Sequence, residues 1–303
     1  MASVSIITVN FNQKEVTEAL LNSIERLNTF KALEIIVVDN ASKVNPIPEW
    51  KSKYPEIKFC RSEKNLGFAG GNNLGMKVAG GDYLFFINND TEITAGLIET
   101  LASYLDQNPK VGMVSPKILY YSEPDVIQYV GFTPMNFITC RNKCIGQFEK
   151  DNGQYNNISG PTGFIHGAAM MVRREAIIKA GFMHENYFLY YEEMDWCERV
   201  RNTGYEIHVN TNVTIYHKES ISVGAKSALK EYFMNRNRIL FIRRNAGFMN
   251  TFLFYCYFLC IVTPRNILNY IKSGDSNFIG VLLKAIVWNF THSKNSEDLG
   301  YKI

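Results

Sequence analysis

The chain has 303 residues, enough to bury a sizeable core as one large domain or two small ones. With 46% hydrophobic and 20% charged residues it has a globular composition, and a net charge of +3 gives no general argument for nucleic-acid binding. The opening residues, "MASVSIITVNF", carry no basic leader and no cleavage site, which argues against a secretory signal.

In chain order, residues 3 to 11 read as a strand. Residues 14 to 27 carry Val16, Ala19, Leu20, Ile24 and Leu27 at helical spacing. "ALEIIVVDN" is a near-continuous apolar strand ending in Asp39 and Asn40. "PIPEWKSKY" holds a short helix, "EIKFCRS" a third strand, and "FAGGNNLGMKVA" a glycine-rich helix entry. "DYLFFINN" is a fourth strand and "AGLIETLASYLDQ" a helix. Buried strands alternating with helices predict an α/β fold, a mostly parallel sheet covered on both faces. Residues 112 to 160 are loop-rich. An apolar strand through Met171, a helix from about Arg174 to Ala180, the acidic "YYEEMDWCERV" and a strand ending in His217 follow.

This layout puts Asn10, Asp39, Asn65 and the cluster Asn88-Asn89-Asp90 at or just beyond the carboxyl ends of four strands. In open α/β sheets ligands bind along that edge. Turn chemistry explains any one of these residues, but explains their shared edge less well. "VNFNQKE" after the first strand is not G-x-G-x-x-G, and neither a P-loop nor G-x-S-x-G occurs. Gly67, Gly70, Gly71 and Gly75 still allow backbone to approach a ligand, at a helix N-terminus that favours negative charge.

Asp90 is the best metal candidate, because Mg²⁺ or Mn²⁺ on a diphosphate needs only one or two protein carboxylates. The competing reading is an N-cap, with Thr91, for the helix near Ala95. Glu192, Glu193 and Asp195 crowd a helix start. Glu192 and Asp195 share a face there, Asp195 can pair with Arg199, and Glu193 points elsewhere. The aromatic "YFLYY" before them would desolvate a carboxylate and make it a better base. His217, at a strand end, is a structural histidine or a metal ligand. The six cysteines form no C-x-x-C and read as reduced, mostly structural thiols. The scattered histidines disfavour a Cys/His zinc site.

Residues 226 to 244 are basic, with Lys226, Lys230, Arg236, Arg238, Arg243 and Arg244 against Glu231. The apolar runs "FMNTFLFYCYFLCIVTP" and "FIGVLLKAIVWNF" follow. The uninterrupted part of the first, Phe252 to Val262, is short for a span, which needs about 20 residues. A basic segment beside aromatic helices predicts a protein lying on a membrane surface. A buried helical hairpin is the alternative.

Taken in order, "VSIITVNFNQ", "IIVVDNAS", "NLGFAGGNN", "FINNDTEI", "GAAMMVRREAI", "FLYYEEMDWCERVRNTGY" and "YHKES" closely resemble the family 2 inverting glycosyltransferases, and among them the rhamnosyltransferase-like branch. The resemblance spans about residues 3 to 225, with weaker echoes in "RNRILFIRRNAG". It implies a GT-A fold over residues 1–225, with a nucleotide-binding half (1–110), an acceptor-binding half (111–225) and a C-terminal helical region (226–303). It further implies that Thr8 to Asn10 and Asp39 contact the nucleotide, and that Asn65, Gly67 and Asn72 sit near nucleotide and sugar. Asn88, Asn89 and Asp90 take the place of the D-x-D motif, with Asp90 as the Mg²⁺- or Mn²⁺-binding acid and His217 completing the shell. Glu193 takes the position of the catalytic base, with Glu192 and Asp195 as alternatives.

The implied reaction moves a sugar, with rhamnose as the guess, from a nucleotide-diphosphate donor to a glycan or polyprenyl-diphosphate-linked acceptor, with inversion. The implied setting is cytoplasmic, at the inner membrane face. A nucleotidyltransferase acting on a sugar phosphate is disfavoured by the lack of a basic glycine-rich phosphate loop. A non-catalytic binding module is disfavoured by the acids at 90, 192, 193 and 195.

Overall fold

The structure is a computed structural model that describes residues 2 to 218 and 227 to 303. Glu219 and Ser220 of the "YHKES" motif, and Lys226 of the basic segment, lie outside the described residues.

The first strands are β1 (Val4–Asn10), β2 (Leu33–Asp39), β3 (Lys58–Arg61) and β4 (Tyr83–Ile87). They lie side by side in the order β3-β2-β1-β4, all parallel. Helices α1 (Lys14–Leu27), α2 (Ile47–Lys53) and α3 (Gly67–Met76) connect them. The strands are near-continuous apolar runs because both faces are covered. Ile6 and Phe85 point into one core with Leu20 and Leu101, while Ile7 and Phe86 point into the other with Ile36 and Trp196. Asn10 stands opposite Asp39, and Asp39 opposite Arg61, so the register of the apolar runs delivers the polar ends to one edge.

Beyond β4 the sheet is mixed. A short β5 (Thr91–Ile93) and α4 (Leu97–Gln107) lead into β6 (Val111–Tyr120), followed by β7 (Ile127–Tyr129), β8 (Ser159–Pro161) and β9 (Ala169–Arg173). After α5 (Arg174–Ala180) and α6 (Glu192–Asn202) comes β10 (Glu206–His217). Strand β9 runs antiparallel between β4 and β6, whereas β6 and β10 are parallel to each other. The expected parallel sheet is thus present in the first half, and β9 reverses direction to extend it. Asp90 does not cap a helix. Thr91 pairs instead with His217 across β5 and β10, and Gly96 precedes α4.

The C-terminal region comprises α7 (Ala228–Asn245), α8 (Phe248–Tyr257), α9 (Thr263–Ser273) and α10 (Asn277–Thr291). A π-helical turn, Phe258–Val262, joins α8 to α9. The arginines of α7 turn inward, contrary to the surface patch expected of them. Arg236 is fully buried on the Trp288 ring, 4.0 Å from its centroid, and burial depresses its pKa to about 10. Arg243 donates to the His292 carbonyl at 3.0 Å, Arg244 to that of Lys294, and Arg238 to that of Thr139. Of the two apolar runs, α10 buries Leu282, Ala285 and Trp288 and bonds to α7 through Asn289, as the hairpin reading expected, whereas the first run is mostly exposed. Phe248 to Ser273 is a continuous 26-residue helix, long and apolar enough to cross a membrane, and only 17% of its most apolar window is buried.

Trp196 ties α6 to β4 in the core that holds Ile7 and Phe86, fully buried with its ring edge-on to Phe86 and its Nε1–H donating to the Gly181 carbonyl at 2.8 Å. Trp196→Ala is expected to cost about 3–5 kcal/mol, read from the denaturant midpoint of equilibrium unfolding.

Candidate active site

The strand-end network starts at Asn10. Its Nδ2 donates to Asp39 Oδ1 at 2.8 Å and to Ser42 Oγ at 3.0 Å, while its Oδ1 accepts from Thr17 Oγ1 at 2.9 Å. Asp39 is fully buried and ion-paired with Arg61. Asn40 continues the chain, donating to Asn65 Oδ1 and to the Gly67 carbonyl, both at 3.1 Å. A crevice of ≈ 260 Å³ opens above this network.

Of the residues expected to touch a donor, Asn65, Gly67, Asn72, Asn88, Asn89 and Asp90 line the crevice. Thr8, Asn10 and Asp39 do not. Thr8 and Asp39 are fully buried, and Asn10 and Asp39 support the edge from behind through the bonds above. The crevice continues over Phe11, Asn65 and Phe188 into a wider one of ≈ 1250 Å³ bordered by Lys43, Lys64 and Arg244. The two together provide the volume that a nucleotide-sized ligand needs, roughly 300–1,000 Å³.

Of the glycines of α3, Gly67 lines the crevice, whereas Gly71 and Gly75 face β1. Gly71 seats against Val9, and a Cβ on Gly75 would lie 2.5 Å from Ile7, so these two allow the helix to pack on β1. Gly67 has φ +70°, and a Cβ there would overlap the Phe188 carbonyl. The first helical N–H groups are already engaged: Leu66 with Asn40 Oδ1, Gly67 with Asn65 Oδ1, and Phe68 with the Phe188 carbonyl. This N-terminus holds protein rather than offering those groups to an anion.

Asp90 and His217 meet although 127 residues separate them, because β5 pairs with β10. His217 Nε2 lies 3.2 Å from Asp90 Oδ1 with both side chains buried. Neither atom has a hydrogen-bond partner among the described residues. The other ring nitrogen, Nδ1, sits 2.8 Å from Gln128 Oε1, an acceptor, so Nδ1 carries a proton. In the neutral ring the Nε2 lone pair then faces a carboxylate. A cation between two such donors removes that repulsion, and an oriented imidazole with an outer hydrogen-bond partner is the usual form of a histidine ligand. The pair fits a divalent ion. No group of three or more His, Cys, Asp or Glu side chains able to hold a metal occurs among the described residues, so the pair is incomplete without substrate oxygens or water.

The acidic cluster separates into three environments. Asp195 is a structural acid: it accepts from Tyr187 Oη at 3.0 Å, Arg199 Nε at 3.0 Å and Asn245 Nδ2 at 2.9 Å. Glu192 is buried, and burial together with the neighbouring Glu193 raises its pKa well above the carboxylate range. Glu193 keeps partial solvent access, and burial pushes its pKa up to about 7. A Cβ on Gly167 would lie 3.8 Å from both Glu193 Cγ and Phe68 Cζ, and Phe68 lines the crevice. Glu193 does not itself line the crevice but lies near Phe68, which does.

Several lining residues were not singled out as donor contacts in the sequence. Phe11 and Asn40 close the runs read as the first and second strands, and Gln13 follows the first. Leu189, Tyr190 and Leu229 are brought in by α6 and α7.

The match to known proteins agrees with this geometry. The model of glycosyl transferase family 2 matches residues 5–181, and the chain belongs to that family. A low-salt glycan biosynthesis hexosyltransferase of Haloferax volcanii is 28% identical over 241 residues, covering 78% of this chain and 74% of the relative. A dTDP-rhamnosyl transferase of Shigella flexneri is 22% identical over 251 residues, covering 79% of each. The mannosyltransferase of Pyrobaculum calidifontis, solved with GDP-Man and Mn²⁺, superposes with a TM-score of 0.58 at 14% identity, over 96% of this chain and 87% of that one. The fold is GT-A, and the enzyme is a glycosyltransferase.

Asp90→Asn removes the charge of the pair without changing its shape. It is expected to weaken Mn²⁺-dependent binding of a nucleoside diphosphate at least tenfold by calorimetry, with metal-free binding unchanged. Equal Mn²⁺ dependence in variant and parent would remove Asp90 from this role.

Proposed function

We propose that the protein is an inverting glycosyltransferase that uses a nucleotide-diphosphate sugar, with Glu193 as its general base. The single observation that carries this reading is the division of labour among the three acids. Asp195 is held by three hydrogen bonds, and Glu192 is buried and favours its protonated form. Glu193 is left as the acid near the crevice whose pKa suits proton transfer near neutral pH.

In this reading the donor lies along the ends of β1, β2 and β4, with Asn65, Asn72, Asn88 and Asn89 as neutral hydrogen-bonding partners for ribose, phosphate and sugar. Asp90 and His217 hold Mg²⁺ or Mn²⁺, which neutralises charge on the diphosphate leaving group when bound. Glu193 accepts the proton of an acceptor hydroxyl. That oxygen forms a bond to the anomeric carbon from the face opposite the diphosphate, and the nucleoside diphosphate departs. A single displacement inverts configuration. The division into a nucleotide half, residues 1–110, and an acceptor half, residues 111–225, follows from the same placement. Rhamnose as the transferred sugar rests on the Shigella relative's name and on the motif resemblance.

A lipid-linked acceptor is supported by the C-terminal helices. Phe248, Met249, Phe252, Ile261, Leu268 and Ile271 are each more than half exposed. An apolar surface of this extent marks an interaction site. Arg265 and Lys272 are exposed on the same helix, as suits an anionic bilayer surface. We read these helices as a peripheral attachment to the cytoplasmic membrane face, in place of the arginines of α7, which are engaged internally.

Glu193→Gln is expected to lower kcat by 10²-fold or more while leaving donor binding intact, read with dTDP-rhamnose and other nucleotide sugars plus Mn²⁺. For the parent enzyme, a base titrating at about 7 must be ionised to work, so kcat falls as pH drops through about 7 and levels off above it. Release of diphosphate rather than a nucleoside diphosphate would identify a nucleotidyltransferase instead.

Phe248→Glu with Phe252→Glu is expected to abolish flotation of the full chain with phosphatidylglycerol-containing vesicles. A parent protein that never floats would end the membrane reading.

A further inference from the structure

Between the α5 helix and the acidic helix α6 the backbone makes a turn that L-residues resist. Phe188, Tyr190 and Tyr191 all have positive φ, at 65°, 71° and 73°. None is glycine, and Tyr191 immediately precedes Glu192 and Glu193. Such a turn persists only when its surroundings hold it.

Two elements do so. From one side, Phe68 N–H at the start of α3 donates to the Phe188 carbonyl at 2.8 Å. From the other, the fully buried Asn237 of α7 points its amide into the turn. Its Nδ2 lies 2.8 Å from the Tyr187 carbonyl, 2.8 Å from that of Leu189 and 2.9 Å from that of Tyr190. The amide orientation is fixed, because Asn237 Oδ1 accepts from Arg236 Nη1 at 2.7 Å, which leaves only the NH₂ group to face the carbonyls. Arg236 also donates to the Asn186 carbonyl at 2.5 Å. Three carbonyls from a four-residue stretch therefore converge on one side chain that follows the turn by about fifty residues. The turn contributes Phe188, Leu189 and Tyr190 to the crevice wall, while the polar lining expected to hold a donor, Asn65, Asn72, Asn88 and Asn89, comes from other segments.

We propose that Asn237 is a positioning residue for catalysis: by holding the carbonyls of Tyr187, Leu189 and Tyr190 it fixes the left-handed turn that sets Glu193 near Phe68 of the crevice, so that turnover depends on it more than donor binding does. The proposal rests on Glu193 being the base. Without the amide, the three carbonyls lose their common donor and the tyrosines relax toward negative φ. The start of α6 then shifts. Displacing a catalytic group by about 1 Å costs on the order of 10²-fold in rate.

The test uses the full chain with the donor that turns over. Asn237→Ala is expected to lower kcat 30- to 100-fold, to change the Kd of dTDP or UDP with Mn²⁺ less than threefold, and to raise hydrogen exchange in residues 186 to 193. The double variant Asn237→Ala/Glu193→Gln should be no more than about twofold slower than Glu193→Gln alone, because groups that act as a unit are non-additive. If Asn237→Ala shows no cooperative melt, Asn237→Ser, which keeps one donor, carries the same measurements with a smaller loss expected. Folded variants with parental kcat, or with nucleotide binding lost in step with kcat, would overturn the proposal. So would losses that multiply in the double variant. Normal turnover of Glu193→Gln by itself would instead reject the base assignment, a separate result.

Discussion

A sheet buried on both faces exposes its polar chemistry only where its strands stop, and this constraint organises the molecule. Strands β1, β2 and β4 are apolar along their lengths, so their backbone groups are satisfied in the ladder and their side chains in the two cores. Polar side chains gather at the carboxyl ends. There Asn10, Asp39, Asn40 and Asn65 bond to one another before any ligand arrives. The edge is preorganised because each amide has its partners in the protein, with Arg61 neutralising the buried charge of Asp39.

The second half of the sheet adds what the first lacks. Reversal at β9 brings β6 and β10 alongside, and the pairing of β5 with β10 carries His217 to Asp90. The same folding places the acidic helix behind Phe68. Buried acids are costly unless paired or neutral, and the three acids here meet that cost differently. Asp195 takes three donors, Glu192 favours its protonated form, and Glu193 retains partial access to water. Their roles follow from their surroundings and not from their order in the chain.

Backbone strain is concentrated at residues 188 to 191, just before the acidic helix. Each non-glycine residue in a left-handed conformation costs on the order of 1–3 kcal/mol, and three of them precede the acids. Helix α7 repays this with buried hydrogen bonds from Arg236 and Asn237. The same helix carries α10 on its other flank, and the apolar surface of α8 and α9 follows it in the chain. Helix α7 thus links the strained turn to the exposed apolar surface of α8 and α9.

The sequence by itself determined the alternation of strands and helices through residue 107, apart from the short β5, which it read as a helix cap. The helix from Lys14 to Leu27 and the strand through Asp39 stand where the pattern put them. Strand ends in polar residues also disclosed one shared polar edge, because apolar runs and their punctuation are local properties of the chain. Only tertiary structure decided how Glu192, Glu193 and Asp195 differ, since burial and partners come from Tyr187, Asn245 and Phe68, which are remote or on other elements. Only tertiary structure turned the arginines of α7 inward, because positive charge in a sequence does not reveal the carbonyls it will meet. Of the glycines of α3, Gly67 lines the crevice while Gly71 and Gly75 pack on β1, because a missing side chain reads the same whether a ligand or a neighbouring strand fills the space.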